Sequence, residues 1–336
     1  MGELILDAVR NRTEWTRKSA NAKKGVVHFS WKTHAQRYVE VIEDVLQGER
    51  PTAVVAGRSR LPRMDRALIS DLDGTLTGDD TALDRLLDRI HRVGESTAFG
   101  VVTGRTMEEC RRTLDRLPIR RLDFLITDSG TEIYYGWPNA ERDLSWSRHI
   151  AHHWKPQRIR EALDEIEEIV PLSLEESGVA RIACRADPDR PPSLAFLQRH
   201  LRKRGLRATI LFDSRTRVDI LPIRASPGLA LRFLEFKLNL APERTLVAGD
   251  SGNDVDMLSG NTLGVVVANH VPEIGHLRSA PRIYFAETAH AEGILEGIDY
   301  YDFFGSIRIP EEEERKQGGG REEEEDEERR SAPSDR

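Results

Sequence analysis

Between Arg66 and Phe304, short uninterrupted apolar runs alternate with helical stretches, and that rhythm constrains the chain more than any other feature. The runs at 67–70, 98–103, 123–127, 245–248, 264–268 and 283–285 have the look of strands buried on both faces. Helical stretches at 81–92, 106–117, 227–238 and 254–259 separate them. Such a βαβ succession folds as a parallel sheet with helices on both sides. The expected fold is therefore α/β, a doubly wound parallel sheet.

Residues 155–222 break the rhythm. They read as helix (157–169), strand (179–186), helix (192–204) and two neighbouring strands (207–212 and 217–221) joined by the turn residues Asp213, Ser214, Arg215 and Thr216. Bounded by Pro156 and Pro222, this is an inserted α+β cap domain. The chain then divides into an N-terminal segment (1–65), a first core part (66–154), the cap (155–222), a second core part (223–308) and a tail (309–336).

Charge is unevenly spread along these parts. The whole chain carries a net −7, yet residues 311–336 alone hold 12 Asp/Glu against 6 Lys/Arg. With almost no apolar residues, that tail cannot offset its chain entropy and reads as disordered. The folded middle has no dense basic stripe, so no nucleic-acid partner is expected. No run of about 18 apolar residues suggests a membrane span, and the N-terminus is not a secretory signal. Cys110 and Cys184 lack metal-ligand spacing and read as free thiols in a reducing compartment, which points to the cytoplasm.

Three strand ends carry chemistry. Asp71-Leu72-Asp73-Gly74-Thr75 leaves the run at 67–70, placing two carboxylates at the carboxyl edge of the sheet, where α/β ligand sites form. Asp71 can attack phosphorus and form an aspartyl-phosphate; Asp73 can protonate the leaving alkoxide and then activate water. Gly249-Asp250-Ser251-Gly252-Asn253-Asp254 follows a second strand and opens a helix. Its two acids can build a hard-cation site, Asp250 as ligand and Asp254 as outer support, and the exposed N–H groups favour a phosphate. Thr103-Gly104-Arg105 ends a third strand, with a hydroxyl and backbone N–H groups suited to phosphate oxygens. His149, His152 and His153, beside Trp146 and Trp154, read as packing and surface residues rather than ligands, because a hard cation prefers oxygen.

These clusters resemble motifs I, II and IV of the haloacid dehalogenase superfamily, and the cap position is similar to its α/β-capped subgroup. More narrowly, 127–135, Trp146, His149-Ile150, Trp154 and the run Asp219-Ile220-Leu221-Pro222-Ile223-Arg224-Ala225-Ser226 resemble the sucrose-phosphate phosphatase family and the homologous C-terminal domain of sucrose-phosphate synthase. The resemblance covers roughly 66–300. It implies a Mg²⁺-dependent sugar-phosphate phosphatase with sucrose 6-phosphate as the leading substrate. Asp71 would be the nucleophile and Asp73 the acid/base. Mg²⁺ would be held by Asp71, the Asp73 carbonyl and Asp250, with Asp254 behind them. Thr103, Gly104, Arg105, Asn253 and Arg224 would bind phosphate or substrate.

The same family usually carries a lysine before the glycine that starts the helix at 227–238; here that position is Pro227. Proline suits helix position N1, but the charge is missing, and Arg224 or Lys237 are the candidates to replace it. If nothing does, a weakly or non-catalytic sugar-phosphate-binding domain becomes the alternative. The N-terminal segment, with Val27-His28-Phe29-Ser30-Trp31 and His34 ahead of an amphipathic stretch at 33–46, resembles the end of a sucrose-phosphate synthase glycosyltransferase domain. That implies a separate synthase chain as partner, and the chain alone is expected to hold no nucleotide-sugar site.

Overall fold

A computed structural model of the chain describes residues 16, 64–212 and 216–309. Its first strand, β1 (Arg66–Asp71), is followed by α1 (Asp80–Val93), β2 (Thr97–Val102), α2 (Met107–Leu114) and β3 (Phe124–Thr127). A hairpin, β4 (Glu132–Tyr135) and β5 (Glu141–Arg142), then leads into α3 (Leu144–Ile150). The cap contributes α4 (Pro156–Leu163), β6 (Ile169–Pro171), α5 (Leu174–Ser177), β7 (Ile182–Ala186), α6 (Leu194–Lys203), β8 (Ala208–Phe212) and β9 (Arg217–Pro222). The chain returns through α7 (Pro227–Leu238), β10 (Thr245–Gly249), α8 (Val255–Leu258), β11 (Leu263–Val266), β12 (Ile283–Phe285) and α9 (His290–Tyr300).

The core sheet runs β12-β11-β10-β1-β2-β3-β4-β5. It is parallel from β12 to β3, and only the hairpin strands are antiparallel. Strand alternation explains why the runs are apolar throughout. Leu68 of β1 faces a cluster with Leu83 and Leu86 of α1 and Ile294 and Ile298 of α9. Its neighbours Ala67 and Ile69 face the opposite cluster with Leu231 and Leu234 of α7 and Met257 of α8. Each strand thus feeds two helical layers, as a doubly wound sheet requires. Ser226 caps α7, accepting from the Leu229 N–H at 3.1 Å, and Pro227 occupies the first turn, where its missing N–H costs nothing.

The cap is a separate antiparallel sheet, β6-β7-β9-β8, over its own cluster of Ile159, Leu163, Leu197, Leu201, Val218 and Ile220. The expected helix at 157–169 stops at Leu163, and Ile169–Pro171 becomes an edge strand paired with β7. Periodicity alone could not separate these, because the strand is only three residues long and exists through its pairing partner. The strand expected from 179 begins at Ile182, after the single-turn α5. Cys110 and Cys184 are buried and unpaired, as expected. The readings of 1–65 (Thr16 and the last two residues apart) and of the tail from 310 fall outside the described residues. No helix among the described residues is long and apolar enough to cross a membrane.

Candidate active site

At the carboxyl edge of the sheet, the chain leaves β1 through the turn Leu72–Leu76, in which Gly74 has φ 83°. That glycine answers a close approach as well as a dihedral: a Cβ there would lie 2.5 Å from Asp250 Oδ2. The turn is buttressed by Asn269 Nδ2, which donates to the Gly74 carbonyl at 2.7 Å, and by Thr75 Oγ1, which donates to Asp250 Oδ1 at 3.1 Å. In this way the loops after β1 and β10, which pair in parallel, are tied to each other.

Carboxylate oxygens of Asp71, Asp250 and Asp254 lie within 4.8 Å of one another. Burial, then the charges of Asp254 and Asp250, push the Asp71 carboxyl well above its ordinary range. Burial likewise raises Asp250, and it pushes Asp254 up to about 6 despite three donors. Those donors are the Asp250 N–H (3.0 Å), the Ser251 N–H (2.9 Å) and the Ser251 hydroxyl (3.0 Å), all to Oδ2. Asp254 therefore shapes the loop that carries Asp250. All-oxygen donors crowded against their own repulsion fit a hard divalent cation, which would neutralise them.

Beside this cluster opens a cavity of about 340 Å³, whose wall includes Asp71, Asp73, Thr103, Gly104, Arg105, Pro227, Asp250, Asn253 and Asp254. The loop after β2 is stitched to the turn after β3: the Thr103 N–H donates to Ile126 O (2.9 Å) and the Asp128 N–H to Arg105 O (2.8 Å). The Arg105 N–H is taken by Thr103 Oγ1 at 3.2 Å. Of the three N–H groups expected to meet a phosphate, only that of Gly104 stays unpaired among the described residues. Asp73 is not free either. The Arg105 guanidinium donates to both of its oxygens, at 2.6 and 2.8 Å.

The two candidates for the missing cation are both elsewhere. Arg224 is exposed, absent from the cavity wall, and close enough to His152 to act on its charge. Lys237 donates to Asp143 and Ser145 and lies over the rings of Tyr135 and Phe233. His149 stacks on Trp146, and His152 and His153 are exposed.

The cap closes the cavity with Arg217 and Asp219 of β9, opposite Glu109 of α2 and Ser129 of the turn after β3. Burial would raise Glu109, but hydrogen bonds from Thr106 and the charges of Arg217 and Arg181 leave it below its ordinary value. Arg181 is wholly buried; its guanidinium donates to Gly104 O (2.5 Å), Asp219 Oδ2 (3.1 Å), Ser177 O and Glu176 O. It thereby joins cap strand to phosphate-side loop. Asp128, 3.6 Å from Arg181, is still pushed up to about 6 by burial.

Residues 64–302 of the chain match the sucrose-6F-phosphate phosphohydrolase family. The chain belongs to that family. Its fold is that of the haloacid-dehalogenase-like hydrolases. Among relatives of this sucrose-6F-phosphate phosphohydrolase family member, the mannosylfructose-phosphate phosphatase of Agrobacterium fabrum is 28% identical over 246 residues, 70% of this chain and 96% of that one. Sucrose-phosphatase 1 of Nicotiana tabacum is 28% identical over 250 residues, again 70% of this chain but only 59% of the tobacco protein. The X-ray structure of the sucrose-phosphatase from Synechocystis sp. PCC6803, in complex with sucrose and phosphate, has a TM-score of 0.66 at 32% identity, covering 71% of this chain and 98% of that one. These relatives are phosphoric monoester hydrolases.

Sequence reasoning about this family member missed Glu109, Ser129, Arg181, Arg217 and Asp219. A signal for two of them was present. In Arg217-Val218-Asp219-Ile220, charged and apolar residues alternate with period two, so one face of β9 had to be polar. Nothing local marked Arg181, whose partners across the cavity, Asp219 and the Gly104 carbonyl, are 38 and 77 residues away.

Proposed function

We propose that the chain is a Mg²⁺-dependent sugar-phosphate phosphatase that works through an aspartyl-phosphate, with sucrose 6-phosphate as the leading substrate. The observation that carries the reading is the convergence of Asp71, Asp250 and Asp254 at the edge of a cavity walled by Thr103 and Gly104. A bound Mg²⁺ would be held by Asp71, Asp250 and the Asp73 carbonyl, with Asp254 supporting the Asp250 loop, and would supply charge neutralisation to the transferred group.

An Asp71 oxygen attacks phosphorus, and the bond from phosphorus to the sugar oxygen breaks. The electron pair stays on that oxygen, which takes a proton from Asp73. Water then attacks the aspartyl-phosphate, Asp73 takes a proton from it, and Asp71 is released with inorganic phosphate. For Asp73 to meet the leaving oxygen, its paired hold by Arg105 must loosen as substrate enters. Thr103, Gly104 and Asn253 orient the phosphate oxygens, and the cap excludes water from the intermediate.

Sucrose 6-phosphate leads because the family model covers 64–302 and the Synechocystis relative binds sucrose and phosphate. The Agrobacterium relative makes mannosylfructose phosphate the second candidate. Phosphate release from a panel of sugar phosphates, with Mg²⁺ and with EDTA, tests the reading. Release from a sugar phosphate that vanishes with EDTA supports it. No release from any member sinks it, and favours the alternative drawn from Pro227: a sugar-phosphate-binding domain acting with a separate sucrose-phosphate synthase chain.

A further inference from the structure

We infer that Arg217, on the cap, is the cation that receives the substrate's phosphate in this cavity. The inference deepens the phosphatase reading and rests on it.

The argument is a charge inventory of one cavity. Its wall holds the acids Asp71, Asp73, Asp250 and Asp254, and further out Glu109 and Asp219. A phosphate monoester adds more negative charge to that set. Even with a divalent metal in place, the entering group needs a cation that is not already neutralised. Arg105 is paired with Asp73, both carboxylate oxygens accepting from its guanidinium, so it does not meet an arriving phosphate until that pair loosens. Pro227 contributes no charge. Arg181 stands behind the wall, with its donors spent on Asp219 and three backbone carbonyls. That leaves Arg217 to meet the phosphate first: among the described residues its guanidinium has no hydrogen bond or ion pair, its charge acts on Glu109 of the same wall without a direct contact, and it is only half-buried.

Strand geometry gives the reason Arg217 faces this way. Val218 and Ile220 are buried in the cap's own apolar cluster. Residues 217 and 219 must then point to the opposite face of β9, which is the cavity side. Asp219 on that face is held by Ser129 Oγ at 2.6 Å and by Arg181 at 3.1 Å. That stretch of β9 is therefore pinned to the core loops that carry Thr103 and Gly104. A guanidinium on a pinned strand can bind a phosphate bidentately without the entropy a free loop would lose. The physical consequence is that phosphate capture also ties the cap to the core, since the two faces share the one ligand.

The test uses the full chain with Mg²⁺ and inorganic phosphate as probe, by calorimetry and by inhibition of the phosphatase reaction, with sucrose as a neutral control. Arg217→Ala is expected to weaken phosphate binding by about ten- to a hundredfold, the scale of a lost charged hydrogen bond. Sucrose affinity should stay within about threefold, and Arg217→Lys, which keeps the charge but not the fork, should recover part of the loss. Arg217→Gln keeps a polar, hydrogen-bonding side chain without charge, so it decides the matter if the alanine variant does not fold. It should resemble alanine rather than lysine. Phosphate affinity unchanged in a folded Arg217→Gln protein overturns the inference, as does a loss confined to sucrose, which would make Arg217 a sugar reader. Undetectable phosphate binding by the wild-type chain also overturns it. A chain that binds phosphate through Arg217 yet hydrolyses no sugar phosphate would instead refute the phosphatase reading and leave this inference standing.

Discussion

Asp71 sits where three carboxylates compete for one small volume, and its chemistry and its cost come from the same crowding. Asp71→Asn is expected to abolish phosphate release, because an amide cannot form the acyl-phosphate. In metal-free buffer the variant should melt about 2–4 °C higher, since one of three mutually repelling, partly desolvated charges is gone. Wild-type-like turnover in a clean preparation would defeat the nucleophile assignment. Asp143 shows the opposite balance. Burial would raise it, but Lys237, Ser145, the Tyr135 hydroxyl and the Trp146 N–H together hold its carboxyl well below the ordinary range. A depressed folded value means that Asp143 stabilises the protein above its unfolded value of about 4 and loses that contribution as pH falls below it. Lys237→Met should therefore cost about 1.5–3 kcal/mol near neutral pH. Its difference from wild type should shrink in acid, and melting curves from about pH 7 to pH 3 would show it. A difference that grew in acid would contradict this assignment.

At the scale of elements, α7 begins on the cavity wall, and its cap and first residue do separate jobs. Ser226 satisfies an orphan N–H, so Ser226→Ala should cost about 1 kcal/mol in denaturant unfolding with little change in substrate affinity. Pro227 instead faces the cavity. Position N1 accepts lysine as well as proline, so Pro227→Lys should fold and should place an ammonium in the wall. It is expected to restore at least tenfold of whatever phosphate affinity Arg217→Ala loses, about 1.4 kcal/mol. Failure of the double variant to recover any affinity would mean that the N1 side chain does not reach the phosphate.

For the molecule as a whole, the joint between cap and core combines apolar contact, with Ala180, Leu211 and Leu221 packed on the core cluster, and a buried guanidinium. Arg181 lies between Asp128 of the core and Asp219 of the cap, both buried. Arg181→Met removes the cation and strands two carboxylates, which should destabilise the protein by about 3–5 kcal/mol. Arg181→Lys keeps the charge and should lose less than the methionine variant, although it loses the fork that reaches the Gly104 carbonyl. Equal stability of Arg181→Met and wild type in urea titrations would remove the joint from this account. The tail is expected to matter little: with few apolar residues to dock, removal of 311–336 should leave melting temperature and turnover nearly unchanged.

What the sequence determined by itself is the sheet and the acids on its edge. Uninterrupted apolar runs demand burial on both faces, and a loop leaving such a strand has one place to go, so Asp71, Thr103 and Asp250 were legible from strand-end position alone. The short strand β6, the end of α4 and the cations of the cavity were not legible, because each depends on partners distant in sequence. Arg224 is only three residues from Pro227, yet it is exposed and not part of the cavity wall. Arg217 is ten residues away and reaches the wall, because Val218 and Ile220 are drawn into the cap cluster and turn it there. Local spacing sets which residues share a face; only the packing of cap against core decides which face meets the ligand, because that direction is set by burial of other side chains.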